Sequence, residues 1–173
     1  SIKFIKKEVF IKDIINEAVK NVSMLSELKN IEIIVSGDDS IKTICDLKWQ
    51  VEAITNILKN CIEHCPNGGK LEIFATENPL YTEVIISDNG TGFDEKDIPH
   101  LFDRFYRGSN SSKESAGIGL HLSRMIISKQ NGVITAANKA SAFTALTSPS
   151  CAASPAFLKH SAYIALYCAI ISL

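Results

Sequence analysis

Asn56 and Asn60 stand four residues apart in a run whose apolar positions repeat at helical spacing, so both amides leave the same face one turn apart. Neutral amide oxygens suit a hard cation such as Mg²⁺ that takes most of its ligands from phosphate and water. A second cluster, Ser87-Asp88-Asn89-Gly90-Thr91-Gly92, sets a carboxylate at the end of a strand-like run, followed by glycines that let backbone approach a planar ligand. A carboxylate there accepts the proton of an exocyclic amine. A third, Ser115-Ala116-Gly117-Ile118-Gly119-Leu120, leads into a helical pattern, the arrangement in which free backbone amides and the helix dipole cradle phosphate. The three clusters make chemical sense as one site.

Regular elements must bring them together. An apolar entry at residues 9–11 leads to a helix over 12–30, with Ile14, Ile15, Ala18, Val22, Leu25 and Leu28 on one side. Two strand-like runs, 31–35 and 41–45, are separated by the turn chemistry of Ser36-Gly37-Asp38-Asp39. The next helix spans 46–65 with Asp46 as N-cap; Leu47, Val51, Ile54, Leu58, Cys61 and Cys65 form its core stripe. Glu52, Asn56, Asn60, Glu63 and His64 gather on its other face, and Pro66-Asn67-Gly68-Gly69 stops it. Runs 70–76 and 83–87 pair as antiparallel strands; 88–115 is irregular except near 98–106; a helix at about 118–131 and a strand at 133–137 follow. These elements predict an α/β two-layer sandwich, one mixed, mainly antiparallel sheet covered by helices. A doubly wound nucleotide fold fits less well, because no strand is followed directly by its Gly-rich fingerprint or by a Walker A loop.

The 173 residues carry a formal net charge of -1, from 18 Lys+Arg against 19 Asp+Glu, so no basic field favours nucleic acid and no polybasic patch favours a membrane surface. Five cysteines, Cys45, Cys61, Cys65, Cys151 and Cys168, are odd in number and scattered, which argues for a reduced, cytoplasmic compartment. The chain opens at Ser1 with no signal peptide or bilayer-length apolar stretch and is expected to be a piece of something larger. Every Asp, Glu, Lys and Arg except Lys159 lies within residues 1–139, marking a composition boundary before an Ala- and Ser-rich, apolar tail at 140–173.

Residues 8–138 resemble the catalytic and ATP-binding domain of a bacterial two-component sensor histidine kinase, of the GHKL superfamily shared with gyrase, Hsp90 and MutL, whose architecture is the Bergerat fold. Asn56-Ile57-Leu58-Lys59-Asn60 resembles the family's N box and Asp88-Asn89-Gly90-Thr91-Gly92-Phe93 its G1 box. Leu101-Phe102-Asp103-Arg104-Phe105-Tyr106-Arg107 is similar to the F box and Gly117-Ile118-Gly119-Leu120 to the G2 box. Four boxes in order are specific where each alone is weak. The resemblance implies ATP-dependent phosphoryl transfer with Mg²⁺, in which the protein supplies positioning and charge. It implies Asn60 as metal ligand, Asp88 as adenine reader, and Gly90 and Gly92 as walls of the base pocket. Gly117 and Gly119 would hold phosphates beneath a mobile lid at about 91–116, and Arg104 and Arg107 would meet the γ-phosphate. Asn56, Glu63, His64, Ile118 and Leu120 complete the implied nucleotide-binding set. The implied partners are the phosphoacceptor dimerisation hairpin of a parent kinase and a downstream response regulator; the parent is implied to be an inner-membrane sensor, with no membrane contact by this domain.

Departures from the family pattern set alternatives beside that reading. Related hydrolases place a water-activating Glu where Asn56 stands, so a hydrolytic clamp is disfavoured. Glu63 occupies a position where many of these kinases carry Lys, and Ser115 replaces the first glycine of the G2 triplet. A non-catalytic nucleotide-sensing module that binds a partner protein is the second reading. None of His64, His100, His121 and His160 is followed by Glu or Asp, so the segment alone is expected to lack a phosphoacceptor and autokinase activity. Cys61, His64 and Cys65 are read as two buried thiols beside an outward histidine and not as a zinc site. In the tail, Ala142-Phe143-Thr144-Ala145-Leu146 reads as a degraded last strand, while the apolar run 162–173 could cover a sheet edge, mediate dimerisation or be foreign sequence.

Overall fold

A computed structural model describes residues 3–108 and 117–138, with 162–169 as backbone. Strand β1 (Lys7–Phe10) runs into helix α1 (Ile11–Leu28), followed by β2 (Glu32–Gly37), β3 (Lys42–Cys45) and helix α2 (Leu47–His64). Strands β4 (Lys70–Glu77) and β5 (Tyr81–Asp88) come next, then a single 3-10 turn at Ile98–His100. Helix α3 (Gly119–Lys129), β6 (Gly132–Asn138) and β7 (Ala162–Ala169) complete the set. The main sheet has the order β2-β4-β5-β7-β6, with β2 and β4 parallel and every other pair antiparallel, the mixed, mainly antiparallel sheet expected.

One face of this sheet is buried by helices. Leu71, Ile73 and Ala75 of β4 and Thr82, Val84 and Ile86 of β5 alternate inward, as a half-covered sheet requires, while Phe74 and Val133 point outward and are exposed. The inward set meets Ile14, Ile15, Ala18 and Val22 of α1, Ile54, Ile57, Leu58 and Cys61 of α2, and Ile126 and Ile127 of α3 in one core. Helix α2 lies between α1 and α3, so its buried surface is wider than the predicted stripe and takes in Ala53, Thr55, Ile57 and Ile62, whereas Leu47, expected in the stripe, is exposed at the first turn. Ile57 and Leu58 have no exposed surface; burying each contributes about 1.5–3 kcal/mol, and truncation to Ala would cost about 2–5 kcal/mol.

Asp46 is the N-cap that the sequence marks: its Oδ1 accepts from the Trp49 amide at 3.3 Å. Its Oδ2 also accepts from the Ile5 amide at 2.7 Å, and its own amide donates to Gln130 Oε1 at 2.6 Å. One residue thus ties the N-terminal segment, the start of α2 and the end of α3. At the other end of α2, Lys29 Nζ donates to the carbonyl oxygens of Ile62, Glu63 and Cys65 at 2.8, 2.8 and 3.1 Å, placing a cation on the negative end of the helix dipole.

Three placements differ from expectation. Leu25 and Leu28 of α1 are exposed and Ser26 is buried, because with 3.6 residues per turn the inward line runs from Val22 to position 26. The runs on either side of Ser36–Asp39 belong to different sheets: β2 pairs with β4, and β3 pairs with β1 as a separate antiparallel ribbon. Backbone of β4 closes on Gly37, whose φ of 120° and lack of Cβ permit the approach. Finally, the strand that pairs with β6 is Ala162–Ala169, set between β5 and β6 and not along a sheet edge; Ala142–Leu146 lie outside the described residues.

Candidate nucleotide site

A cleft of about 200 Å³ opens between the outer face of α2 and the first turn of α3. Asn56, Asn60, Glu63 and His64 line it from α2, Gly92 from the loop after β5, Arg107 from the segment that follows, and Gly117, Gly119 and Leu120 from the start of α3. Residues from all four boxes therefore face one space. Asp88, Gly90, Arg104 and Ile118 do not line it. Asp88 is buried at the end of β5, and its Oδ1 accepts from the Gly90 amide at 2.8 Å. Gly90 packs directly behind His64: a Cβ there would stand 2.8 Å from the His64 carbonyl oxygen. Arg104 stacks over the exposed Phe105 ring, 4.6 Å from its centroid, and Ile118 is exposed. Ser115 lies outside the described residues.

The opposing helices are pinned at the cleft. Ser123 Oγ of α3 bonds the Ala53 carbonyl at 2.9 Å, one turn before Asn56, and the Gly119 carbonyl of its own helix at 3.1 Å. Asn56 Nδ2 donates to Glu52 Oε1 at 3.2 Å, a bond that orients the amide and spends one of its two N–H donors. No side chain caps the N-terminus of α3, so its first-turn amides and positive dipole end meet the cleft. Gly117 has φ 64°, and a Cβ there would collide with the Tyr106 carbonyl; its own carbonyl accepts from the Phe105 amide at 3.0 Å. This position needs glycine on both counts.

Lys59, Phe93 and Tyr106, named in the boxes without a role, also line the cleft, as do Asp94 and Asp97, which the sequence reading did not single out. Lys59 was legible as a neighbour of Asn56 and Glu63 at helical spacing. Asp97 is buried and accepts the Tyr106 hydroxyl at 2.8 Å, a bond that raises the phenol above its ordinary pKa. Asn138, at the end of β6, bonds Phe93 with both ends of its amide: Oδ1 accepts from the Phe93 amide and Nδ2 donates to the Phe93 carbonyl, each at 2.8 Å. No local pattern marks it.

Behind the α2 wall, Cys61 and Cys65 are buried, as expected of core thiols. Burial first, then the charge of Asp88, pushes both thiols above their usual range, and Cys61 also bonds the Asp88 carboxylate. Among the described residues no three His, Cys, Asp or Glu side chains converge on a metal position. The donors facing the cleft from α2 include the neutral amides of Asn56 and Asn60, a set that fits an ion held largely by phosphate and water.

The family model for histidine kinase-, DNA gyrase B- and HSP90-like ATPases matches residues 45–150. Sensor histidine kinase YvrG of Bacillus subtilis is 30% identical over 140 residues, covering 80% of this chain and 24% of YvrG; the chain thus spans about a quarter of that protein. The fold is similar to the catalytic domain of histidine kinase ThkA, with a TM-score of 0.77, 16% identity and coverage of 97% and 96% of the two chains. It is also similar to full-length ShkA solved with AMPPNP, with a TM-score of 0.73, 15% identity and coverage of 96% of this chain and 31% of that one. Among the described residues no helix is long and apolar enough to cross a membrane. With its boxes in order, its sheet and helices matched and residues of all four boxes on one cleft, the chain belongs to the histidine kinase-, DNA gyrase B- and HSP90-like ATPase family, as an ATP-binding domain of the histidine-kinase type.

Proposed function

We propose that this domain binds Mg²⁺·ATP in the cleft and donates the γ-phosphate to a histidine on the dimerisation hairpin of its parent kinase. The observation that carries this reading is the pairing, across one cleft, of the Asn56 and Asn60 amides with the uncapped first turn of α3 and the guanidinium-bearing Arg107 segment. Such an arrangement binds a polyphosphate and its metal, while position 56 offers an amide in place of a water-activating carboxylate. In this reading Asn60 holds Mg²⁺, which when bound neutralises charge on the phosphate oxygens. The amides of Gly119 and Leu120 take phosphate oxygens, and Asp88 accepts the exocyclic amine of adenine. Arg107, on the cleft, meets the transferring phosphoryl group, and Arg104, which stacks on Phe105 outside the cleft, would reach it by swinging off that ring. The reading carries with it a cytoplasmic location for the domain, a membrane sensor as parent and a response regulator as the next acceptor.

Glu63 on the cleft favours a second reading, a nucleotide-sensing module that binds a partner without transferring phosphate. Adding the parent's helical hairpin in trans with γ-labelled ATP separates the two. Acid-labile label on the hairpin histidine is the expected result. Nucleotide binding with no label supports the sensing module, and steady phosphate release without an acceptor supports a hydrolase.

A further inference from the structure

We infer that Asn138 is a positioning residue for the nucleotide cleft: it fastens the start of the 92–108 stretch to the sheet and so fixes the wall formed by Gly92 and Phe93. The inference rests on the proposed nucleotide reading of the cleft. Both hydrogen-bonding ends of one side-chain amide are spent on one residue 45 positions away in sequence, the Phe93 N–H and C=O, at 2.8 Å each. A planar amide set against a peptide N–H and carbonyl imitates one rung of a strand ladder, and among side chains Asn and Gln carry that amide group. The neighbouring Gly92 is built around the same side chain. Its φ is 77°, and a Cβ there would stand 2.8 Å from Asn138 Oδ1, so the second glycine of the G1 box and Asn138 fit as a pair.

The consequence reaches the ligand through Phe93. Gly92, Phe93 and Asp94 line the cleft opposite Asn60 and His64, whereas Asn138 itself does not. From Phe93 to Gly108 the described backbone is irregular apart from one short 3-10 turn at Ile98–His100. Among the described residues 94–108 no strand ladder is present, so this stretch takes its position from the anchors beside it. The Phe105 to Gly117 bond ties the far end, and the Asn138 clamp ties the near one.

The test uses the 173-residue chain with Asn138→Ala and Asn138→Asp. Asp keeps an acceptor for the Phe93 amide but sets a carboxylate oxygen against the Phe93 carbonyl, so it breaks the second bond without emptying the site and stands in if the Ala variant fails to fold. Mg²⁺·ATP affinity is measured by calorimetry, Phe93 amide exchange by hydrogen-deuterium NMR, and global stability by thermal melting. The expected result is faster Phe93 exchange in both variants and ATP binding weakened about tenfold in Asn138→Ala and at least as much in Asn138→Asp, where a carboxylate oxygen opposes the Phe93 carbonyl, with melting little changed. Unchanged affinity and unchanged Phe93 exchange in folded variants overturn the inference, as does a lowered melting temperature with affinity intact. If the wild-type chain does not bind ATP, the nucleotide reading fails, while Phe93 exchange still decides whether Asn138 fastens the segment.

Discussion

Replacing Asp88 by Asn changes one atom type in a buried site and separates reading of the base from mere support of the fold. The carboxylate is 4% exposed and accepts from the Gly90 amide at 2.8 Å and from the Cys61 thiol. Asn has the same shape and retains one oxygen for the Gly90 N–H, so the end of β5 keeps its local bond. Its remaining NH₂ then faces the exocyclic amine of adenine, donor against donor. A hydrogen bond to a charged acceptor is worth about 1.5–3 kcal/mol, which converts to about 10- to 150-fold weaker Mg²⁺·ATP binding. Loss of the buried charge partly offsets the lost bonds in the free protein, so melting should move by only a few degrees. Calorimetry with Mg²⁺·ATP and with inosine triphosphate, whose base carries an oxo group in place of the amine, completes the experiment. The variant should lose ATP and gain relative affinity for the inosine nucleotide. Equal loss of both ligands, or no loss of either, would refute the assignment of Asp88 to the amine.

Three further outcomes follow from the geometry. Lys29→Met should lower stability by about 1–3 kcal/mol in urea denaturation, since three carbonyls at the end of α2 lose one cationic donor; an unchanged midpoint contradicts this role. Glu63→Lys should tighten Mg²⁺·ATP binding by a few-fold at low salt, with the gain shrinking as salt rises, because it exchanges an anion on the cleft for a cation; weaker binding would show that Glu63 supports the site. Burial and Asp88 hold the Cys61 thiol well above its usual value, so above about pH 9 the unfolded chain releases a proton that the folded chain keeps. This contribution to stability is complete below that pH and falls as pH rises toward the folded value, by up to about 1.4 kcal/mol per pH unit. Wild-type and Cys61→Ala stabilities should therefore converge between pH 8 and 10.5, and parallel profiles would exclude the effect.

Where local chemistry dictates structure, the sequence was legible. Asp46 caps α2 where a short acidic residue precedes a periodic apolar run, and the 3,4 spacing put Asn56, Asn60 and Glu63 on the face that lines the cleft. The start of α1 carried no such signal, since its N-cap is Phe10 with no side-chain bond, and the helix begins at Ile11. Turn residues at Ser36–Asp39 announce a reversal but not the partner: the pairing of β2 with β4 depends on a strand more than 30 residues away. Most of the site that escaped the reading does so for the same reason. Asn138 acts on Phe93 from a strand 45 residues away, and Asp97 on Tyr106 across nine residues of chain, pairings that no spacing rule encodes. The Ala-rich strand β7 lacks the alternation of a half-buried strand, so its seat between β5 and β6 was not readable from its own residues.

The central claim, that the cleft between α2 and α3 is the nucleotide site, is tested most directly by mapping amide shifts of the labelled chain on addition of Mg²⁺ and a non-hydrolysable ATP analogue. The account predicts saturable shifts concentrated at Asn60, His64, Asp88, Gly92, Phe93, Gly119 and Leu120, with the Asn56 and Asn60 side-chain amides moving as well. Shifts confined to the outward sheet face around Phe74 and Val133, or no saturable shift at millimolar analogue, would contradict it.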